Sequence, residues 1–251
     1  MGVKTVATGL LGGFLGDFIA TSLAADDIRT QFVDIEECTR LNSTIHTETT
    51  GYKLNQRGPR VSSSYVDSVV DVLAVRRPET VVIGGSLPPG LDATAIDRLA
   101  AAGPWDTAVD VDGARLGELD ATDQWCKPNA PELESATGRG ISTPEDAVAA
   151  AEELQGQGFE SVVASLGADG AVLVSPATTA LEPPIECEVV DTVGAGDALL
   201  AGFLAALDTG KSEATALETG VVTATEAVQT VGTTVPSLPS VGTPNGASPH
   251  S

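Results

Sequence analysis

Seven consecutive residues, Asp191-Thr192-Val193-Gly194-Ala195-Gly196-Asp197, combine an anion-binding backbone with a carboxylate. Gly194, Ala195 and Gly196 are small enough for backbone N–H groups to approach a phosphate closely. The apolar stretch that follows reads as a helix, whose N-terminus favours negative charge. Asp197 falls in the first turn of that helix. A carboxylate there can take the proton of an attacking hydroxyl while the amides stabilise charge on a transferring phosphoryl group. The same spacing also suits a tight turn with Asp197 as a helix cap. Other segments are ambiguous on their own. Gly85-Ser86-Leu87-Pro88-Pro89-Gly90 reads as a proline-rigidified turn. Lys127 reads as a surface charge, and Glu132 as a first-turn helix acid. Arg40 suits a surface ion pair or, through its guanidinium fork, a phosphate.

The elements that must position these residues alternate in type. Strands are expected over 3–8, 31–35, 43–49, 80–83, 107–111, 161–165 and 171–175. Helices are expected over 14–25, 62–76, 92–102, 131–137, 143–155, 196–207 and 213–230. Residues 51–59 read as a turn-rich loop, and 80–83 as a buried strand. Tyr65, Val69 and Leu73 form one helical stripe, Asp92 is a candidate N-cap, and Thr143-Pro144 marks a helix start. Alternation of this kind argues for an α/β layered fold around a mostly parallel sheet. In such sheets ligands bind beyond the carboxyl ends of the strands. The loops that matter are therefore 84–90, 127–132, 167–170 and 191–197.

Composition narrows the function classes. The chain has 251 residues, enough for a substantial core, and 42% of them are apolar. Its net charge is −22, from 35 acidic and 13 basic residues, which disfavours nucleic acid and anionic membrane as partners. The acids are spread along the chain and Lys is scarce, a composition that resembles proteins of salt-in halophiles, where molar salt screens the self-repulsion. Cys38, Cys126 and Cys187 are odd in number and far apart, so neither a disulfide framework nor a zinc site is expected. A cytoplasmic location follows, because Asp17 interrupts the apolar N-terminal stretch that could be misread as a signal peptide. Gly210-Lys211-Ser212 imitates the end of a phosphate-binding loop but reads as a helix–turn–helix junction, with Gly210 as C′ and Ser212 as N-cap. The glycines between Gly9 and Gly16 miss dinucleotide-fold spacing and read as close helix–strand packing. His46 has no second metal-type ligand nearby and reads as a loop or surface residue.

Taken together, five segments resemble the ribokinase-like sugar kinases of the PfkB carbohydrate kinase family. They are the 191–197 string, Gly85–Gly90, Lys127-Pro128-Asn129 with Glu132, Ser165-Leu166-Gly167-Ala168-Asp169-Gly170, and Arg40 with Asn42. The loop at Ser86 resembles that of the branch that phosphorylates fructose 1-phosphate and tagatose 6-phosphate. The resemblance implies a three-layer α/β/α fold with a mostly parallel central sheet, in a kinase domain over 1–231 followed by a disordered tail over 232–251. It implies Asp197 as catalytic base, with Gly194, Ala195 and Gly196 as the anion hole. Lys127, Asn129, Ser165, Gly167, Gly170 and Thr192 would serve ATP, and Glu132 would act indirectly on Mg²⁺. Arg40, Asn42 and Ser86 would face the sugar phosphate. The implied reaction is ATP-dependent phosphorylation of fructose 1-phosphate at its C6 hydroxyl. Fructose 6-phosphate or tagatose 6-phosphate as acceptor, and a catalytically impaired nucleotide-binding remnant, are the alternatives. A homodimer is compatible with the same resemblance.

The family's leading segment, with an early Asp for sugar hydroxyls and a GGKGxN motif, has no counterpart in the chain. The expectation is therefore an incomplete lid and first strand, an open sheet edge and exposed apolar surface. A start assigned too late, a truncated gene or a partner that supplies the segment would each account for it.

Overall fold

The computed structural model describes residues 3–46, 51–120, 124–230 and 232. The chain divides after Leu181 into two compact units. The first opens with short elements: β1 (Val6–Ala7), β2 (Leu10–Leu11), α1 (Gly13–Ala25), β3 (Arg29–Thr30) and β4 (Val33–Asp34). β1 pairs with β3 and β2 with β4, both in parallel. The strands expected over 3–8 and 31–35 are thus shorter, and the second begins only after an additional pair at Arg29–Thr30. The glycines at the start of α1 act as packing residues. A Cβ on Gly12 would lie 2.2 Å from the Glu37 carbonyl oxygen, and one on Gly16 3.1 Å from Leu11 Cβ.

A hairpin follows, β5 (Asn42–His46) against β6 (Gly51–Asn55), with Ile45 opposite Tyr52 and Ser43 opposite Leu54. β6 corrects the expectation of a loop over 51–59. The flanking glycine and the Gly58-Pro59 turn signal hid a period-two alternation that places Tyr52 and Leu54 on one face. Residues 47–49 of the strand expected over 43–49 lie outside the described residues, as does all of the expected 232–251 tail except Gly232.

The main sheet then assembles. The remaining elements of the first unit are α2 (Ser64–Arg76), β7 (Thr80–Gly84), α3 (Ala93–Ala101), β8 (Asp106–Asp110), α4 (Gly113–Leu116), β9 (Gln124–Cys126), α5 (Ala130–Thr137), α6 (Pro144–Gly156), β10 (Ser161–Ser165), β11 (Ala171–Val174) and β12 (Thr179–Glu182). The six-stranded order is β12-β11-β10-β9-β8-β7. β7 to β10 run parallel, and β11 is antiparallel to β10. One register row, Ile83–Val109–Cys126–Val162–Val174, crosses five strands on one face. α6 covers that face through Ala147, Ala150, Ala151 and Leu154, a stripe at i, i+3, i+4 and i+7, and α5 through Leu133; all five are completely buried. Val163 and Leu173, which point the other way, are also buried, as expected of strands inside an α/β sheet.

β7 is an edge strand, with Val82 53% exposed, which corrects its reading as a buried strand. A run of β-branched residues cannot by itself distinguish a central strand from an edge. β9, β12 and α4 were not legible at all, each being four residues or fewer.

The second unit, from Glu182, holds α7 (Ala195–Asp208) and α8 (Glu213–Ala227). α7 is apolar nearly all round, and Phe203 at its centre has no exposed surface. Gly210 follows α7 with φ +78°, and Ser212 caps α8 by accepting from Thr215 N–H, as the helix-junction reading expected. No described helix is long and apolar enough to cross a membrane. All three cysteines are free; burial pushes the Cys126 thiol far up, the Lys127 charge opposing only in part.

Candidate active site

Because β7, β8, β9 and β10 run parallel, their carboxyl ends lie on one side of the sheet. The segments 84–90, 127–132 and 166–170 all leave from that side. At the end of β9, Lys127 is buried, which removes its reading as a surface charge. Its Nζ lies 3.1 Å from Asp110 Oδ1 at the end of β8; the side chains are 5% and 17% exposed. Only two of an ammonium's three donors are then left to other partners at most. The next residues start α5. Asn129 Oδ1 accepts from Glu132 N–H at 2.9 Å, and Glu132 Oε2 accepts from Asn129 N–H at 2.8 Å, a reciprocal capping box. Glu132 is held from a second side. Gly113, the first residue of α4, is so close that a Cβ on it would lie 2.2 Å from the Glu132 carbonyl oxygen.

The turn after β10 joins this edge. Ser165 N–H donates to the Pro128 carbonyl at 3.0 Å, and Asn129 and Ser165 form an isolated parallel bridge. Leu166 N–H then donates to the Gly170 carbonyl at 2.8 Å, closing a 3₁₀ turn over Gly167–Asp169. Lys127, Asn129, Glu132, Ser165, Gly167 and Gly170 are therefore one cluster of loops.

A cavity of about 280 Å³ lies in the same unit, at the carboxyl end of β7. It is lined by Leu10 and Ile35 from the N-terminal elements, by Thr39 and Arg40, by Arg57, Gly58, Pro59 and Val61, and by Gly84, Ser86 and Pro88. Arg40 Nη2 donates to Ser86 Oγ at 2.5 Å, so two expected substrate residues, 46 positions apart, meet. Asn42 does not line this cavity. Its Oδ1 accepts from Gln56 N–H at 3.2 Å, which ties the base of the β5–β6 hairpin.

In the second unit, Gly194 is the N-cap of α7 with φ +82°, a left-handed conformation that glycine adopts freely. Ala195 N–H donates to the Thr192 carbonyl at 3.3 Å, and Ala198 N–H to the Gly194 carbonyl at 2.8 Å. Asp191 braces the approach: its Oδ1 accepts from Val193 N–H and its Oδ2 from Gly232 N–H. Asp197 stands exposed in the first turn, beside amides for which a helix provides no internal acceptor.

Two residues were missed in the sequence. Asp110 lies inside the expected 107–111 strand, and the available signal was a carboxylate at a strand's carboxyl end. Arg57 falls in the part of the expected 51–59 loop that the structure keeps as loop, where only its cationic charge beside Gly58-Pro59 marked it.

The model of the pfkB family of carbohydrate kinases matches residues 1–240. Over 211 residues the chain is 51% identical to the 1-phosphofructokinase of Haloferax volcanii, covering 84% of this chain and 69% of the relative. It is 32% identical to the 1-phosphofructokinase of Bacillus subtilis over 82% of this chain and 69% of that one. Phosphofructokinase-2 from Escherichia coli, solved in complex with potassium, superposes with a TM-score of 0.83 at 26% identity, over 92% of this chain and 78% of that one. A ribokinase from Thermotoga maritima shares the fold at 18% identity, with a TM-score of 0.73 over 91% of this chain and 76% of that one. With the parallel strand ends carrying the expected loops and the family match spanning nearly all of its length, the chain belongs to the pfkB family of carbohydrate kinases, with a ribokinase-like α/β fold.

Proposed function

We propose that the chain, with residues 1–231 as its kinase domain, transfers the γ-phosphoryl group of ATP to the C6 hydroxyl of fructose 1-phosphate, giving fructose 1,6-bisphosphate and ADP. The observation that carries a phosphorylated acceptor is the Arg40 guanidinium held on Ser86, in a cavity lined by no acidic side chain among the described residues. The shared identity with proteins named 1-phosphofructokinase supports the choice of sugar.

Asp197 takes the proton of the C6 hydroxyl as its oxygen bonds to the γ-phosphorus and the bond to the β-phosphate oxygen breaks. The amides of Gly194, Ala195 and Gly196, at the positive end of the α7 dipole, receive the charge on the transferring group. Lys127 and Asn129 serve the nucleotide phosphates, and Ser165, Gly167, Gly170 and Thr192 its remaining contacts. Asn42 serves the sugar from the base of the hairpin.

The residues present also fit Mg²⁺. Among the described residues no three His, Cys, Asp or Glu side chains gather as a metal cage. A hard cation bound chiefly by phosphate and water needs only one or two carboxylates nearby, and Glu132, one oxygen of which is held by the capping box, would hold it through water. When bound, the ion neutralises phosphate charge.

The test is ADP release by the full chain in molar KCl with Mg²⁺ and ATP, comparing fructose 1-phosphate, fructose 6-phosphate and tagatose 6-phosphate. The highest kcat/KM is expected on fructose 1-phosphate. Asp197→Asn should lower kcat by about 10²- to 10⁴-fold and keep thermal stabilisation by ATP. Near-normal turnover by that variant removes Asp197 as the base. Stabilisation by ATP without turnover on any acceptor would instead describe a nucleotide-binding remnant.

A further inference from the structure

The cavity around Ser86 holds a second cation that the proposed reaction has not used. Arg57 follows β6 on the segment returning from the hairpin, and it lines the cavity together with Arg40. Among the described residues Arg57 forms no ion pair, although the chain carries 35 acids against 13 bases. Neighbouring geometry holds the segment in place. Gly58 has φ +76°, and a Cβ on it would lie 3.3 Å from Arg40 Cδ, so the loop rests directly on the aliphatic stem of Arg40. A side chain at 58 would strain the positive φ and crowd the Arg40 stem. Leu10, Ile35 and Pro88 give the cavity an apolar wall. Such a wall lowers the local dielectric and strengthens any charge interaction made inside it.

We propose that Arg57 is a specificity-determining residue that, with Arg40, reads the phosphate ester of the acceptor and rejects the unphosphorylated sugar. This rests on the proposed kinase reaction for its acceptor. Arg40 is oriented by Ser86 and meets one side of the phosphate, and Arg57 supplies a second guanidinium fork. Two positive charges, with no lining carboxylate among the described residues, attract a dianion and offer a neutral sugar nothing in return. Guanidinium suits the role because it binds phosphate oxygens in pairs, which an ammonium cannot.

The experiment compares the unmodified chain with Arg57→Ala and Arg57→Lys in molar KCl. Arg57 is exposed, so both variants should fold, and their melting midpoints check that. For Arg57→Ala, KM for fructose 1-phosphate should rise about tenfold or more, the loss of one charge-assisted contact, with KM for ATP within about twofold. The preference for fructose 1-phosphate over fructose should fall by a similar factor. Arg57→Lys should lie between, because it keeps the charge and loses the fork. A KM for fructose 1-phosphate that stays within about twofold in Arg57→Ala overturns the proposal. If the unmodified chain favours a different sugar phosphate, the substrate reading fails and the same comparison on that acceptor still decides Arg57. If it turns over none, calorimetric titration with inorganic phosphate decides: weaker binding by Arg57→Ala supports the role, and equal binding overturns it.

Discussion

Removing Asp110 should cost far more stability than an ordinary surface carboxylate. The perturbation is Asp110→Ala, which leaves the Lys127 ammonium buried without its partner. At 3.1 Å and an effective dielectric near 20, the attraction is about 5 kcal/mol. Desolvating both ions offsets most of that, so the intact pair adds little net stability. Breaking it is different, because the remaining charge keeps its desolvation cost. The expected loss is about 3–5 kcal/mol, a large share of the roughly 5–15 kcal/mol that holds a domain folded. Lys127→Met should lose less, about 1–3 kcal/mol, because Asp110 is 17% exposed and can reach water. The double variant should recover part of the Asp110→Ala loss, with a coupling of at least about 2 kcal/mol. Urea denaturation of all four proteins, in dilute and in molar KCl, measures this. A buried pair is screened little, so the coupling should survive salt. Single variants within about 0.5 kcal/mol of the unmodified chain, or a coupling that vanishes in molar KCl, would refute the reasoning and return Lys127 to a solvated surface role.

Three further outcomes are expected. Gly12→Ala places a methyl group 2.2 Å from the Glu37 carbonyl oxygen, so α1 must shift and the melting midpoint should fall by several degrees; an unchanged midpoint means that the contact relaxes freely. Thr143→Ala removes the α6 cap and should cost about 1 kcal/mol in urea denaturation. Its partner Asp146 accepts from the N–H groups of Ser142 and Thr143, which together with the Thr143 hydroxyl hold its pKa below the ordinary carboxylate value. That contribution is complete above about pH 4 and is lost as pH falls through the lowered folded value. The stability gap between Asp146→Asn and the unmodified chain should therefore narrow in acid, and a gap independent of pH would sever the link.

The parts of the site that could be read from sequence share a property. Lys127 to Glu132, Ser165 to Gly170 and Asp191 to Asp197 are each contiguous, so each could be matched as a short string to the family it resembles, although Lys127 and Glu132 were ambiguous on their own. Asn129 and Glu132 lie three residues apart, and the structure adds the capping box that joins them. What escaped depended on contacts distant in sequence. Asp110 matters because a parallel neighbour brings Lys127 beside it, and Arg57 because a hairpin folds back onto Arg40. The same division holds for the fold. α6 was legible from its Thr143-Pro144 start, whereas Val82 became an edge residue only through the order of strands.

Gly113 ties the site's parts into a closed circuit. From the end of β8 the chain runs through Asp110 to Lys127, on through the capping box to Glu132, and back through the backbone contact at Gly113 to its starting point. A closed circuit cannot absorb a change at one member without moving the others. A methyl group at position 113 would press on the Glu132 backbone and displace it. Drift at this position is therefore coupled to drift at 129–132, and homologues bearing a larger residue at 113 should carry a matching retreat in the first turn of α5.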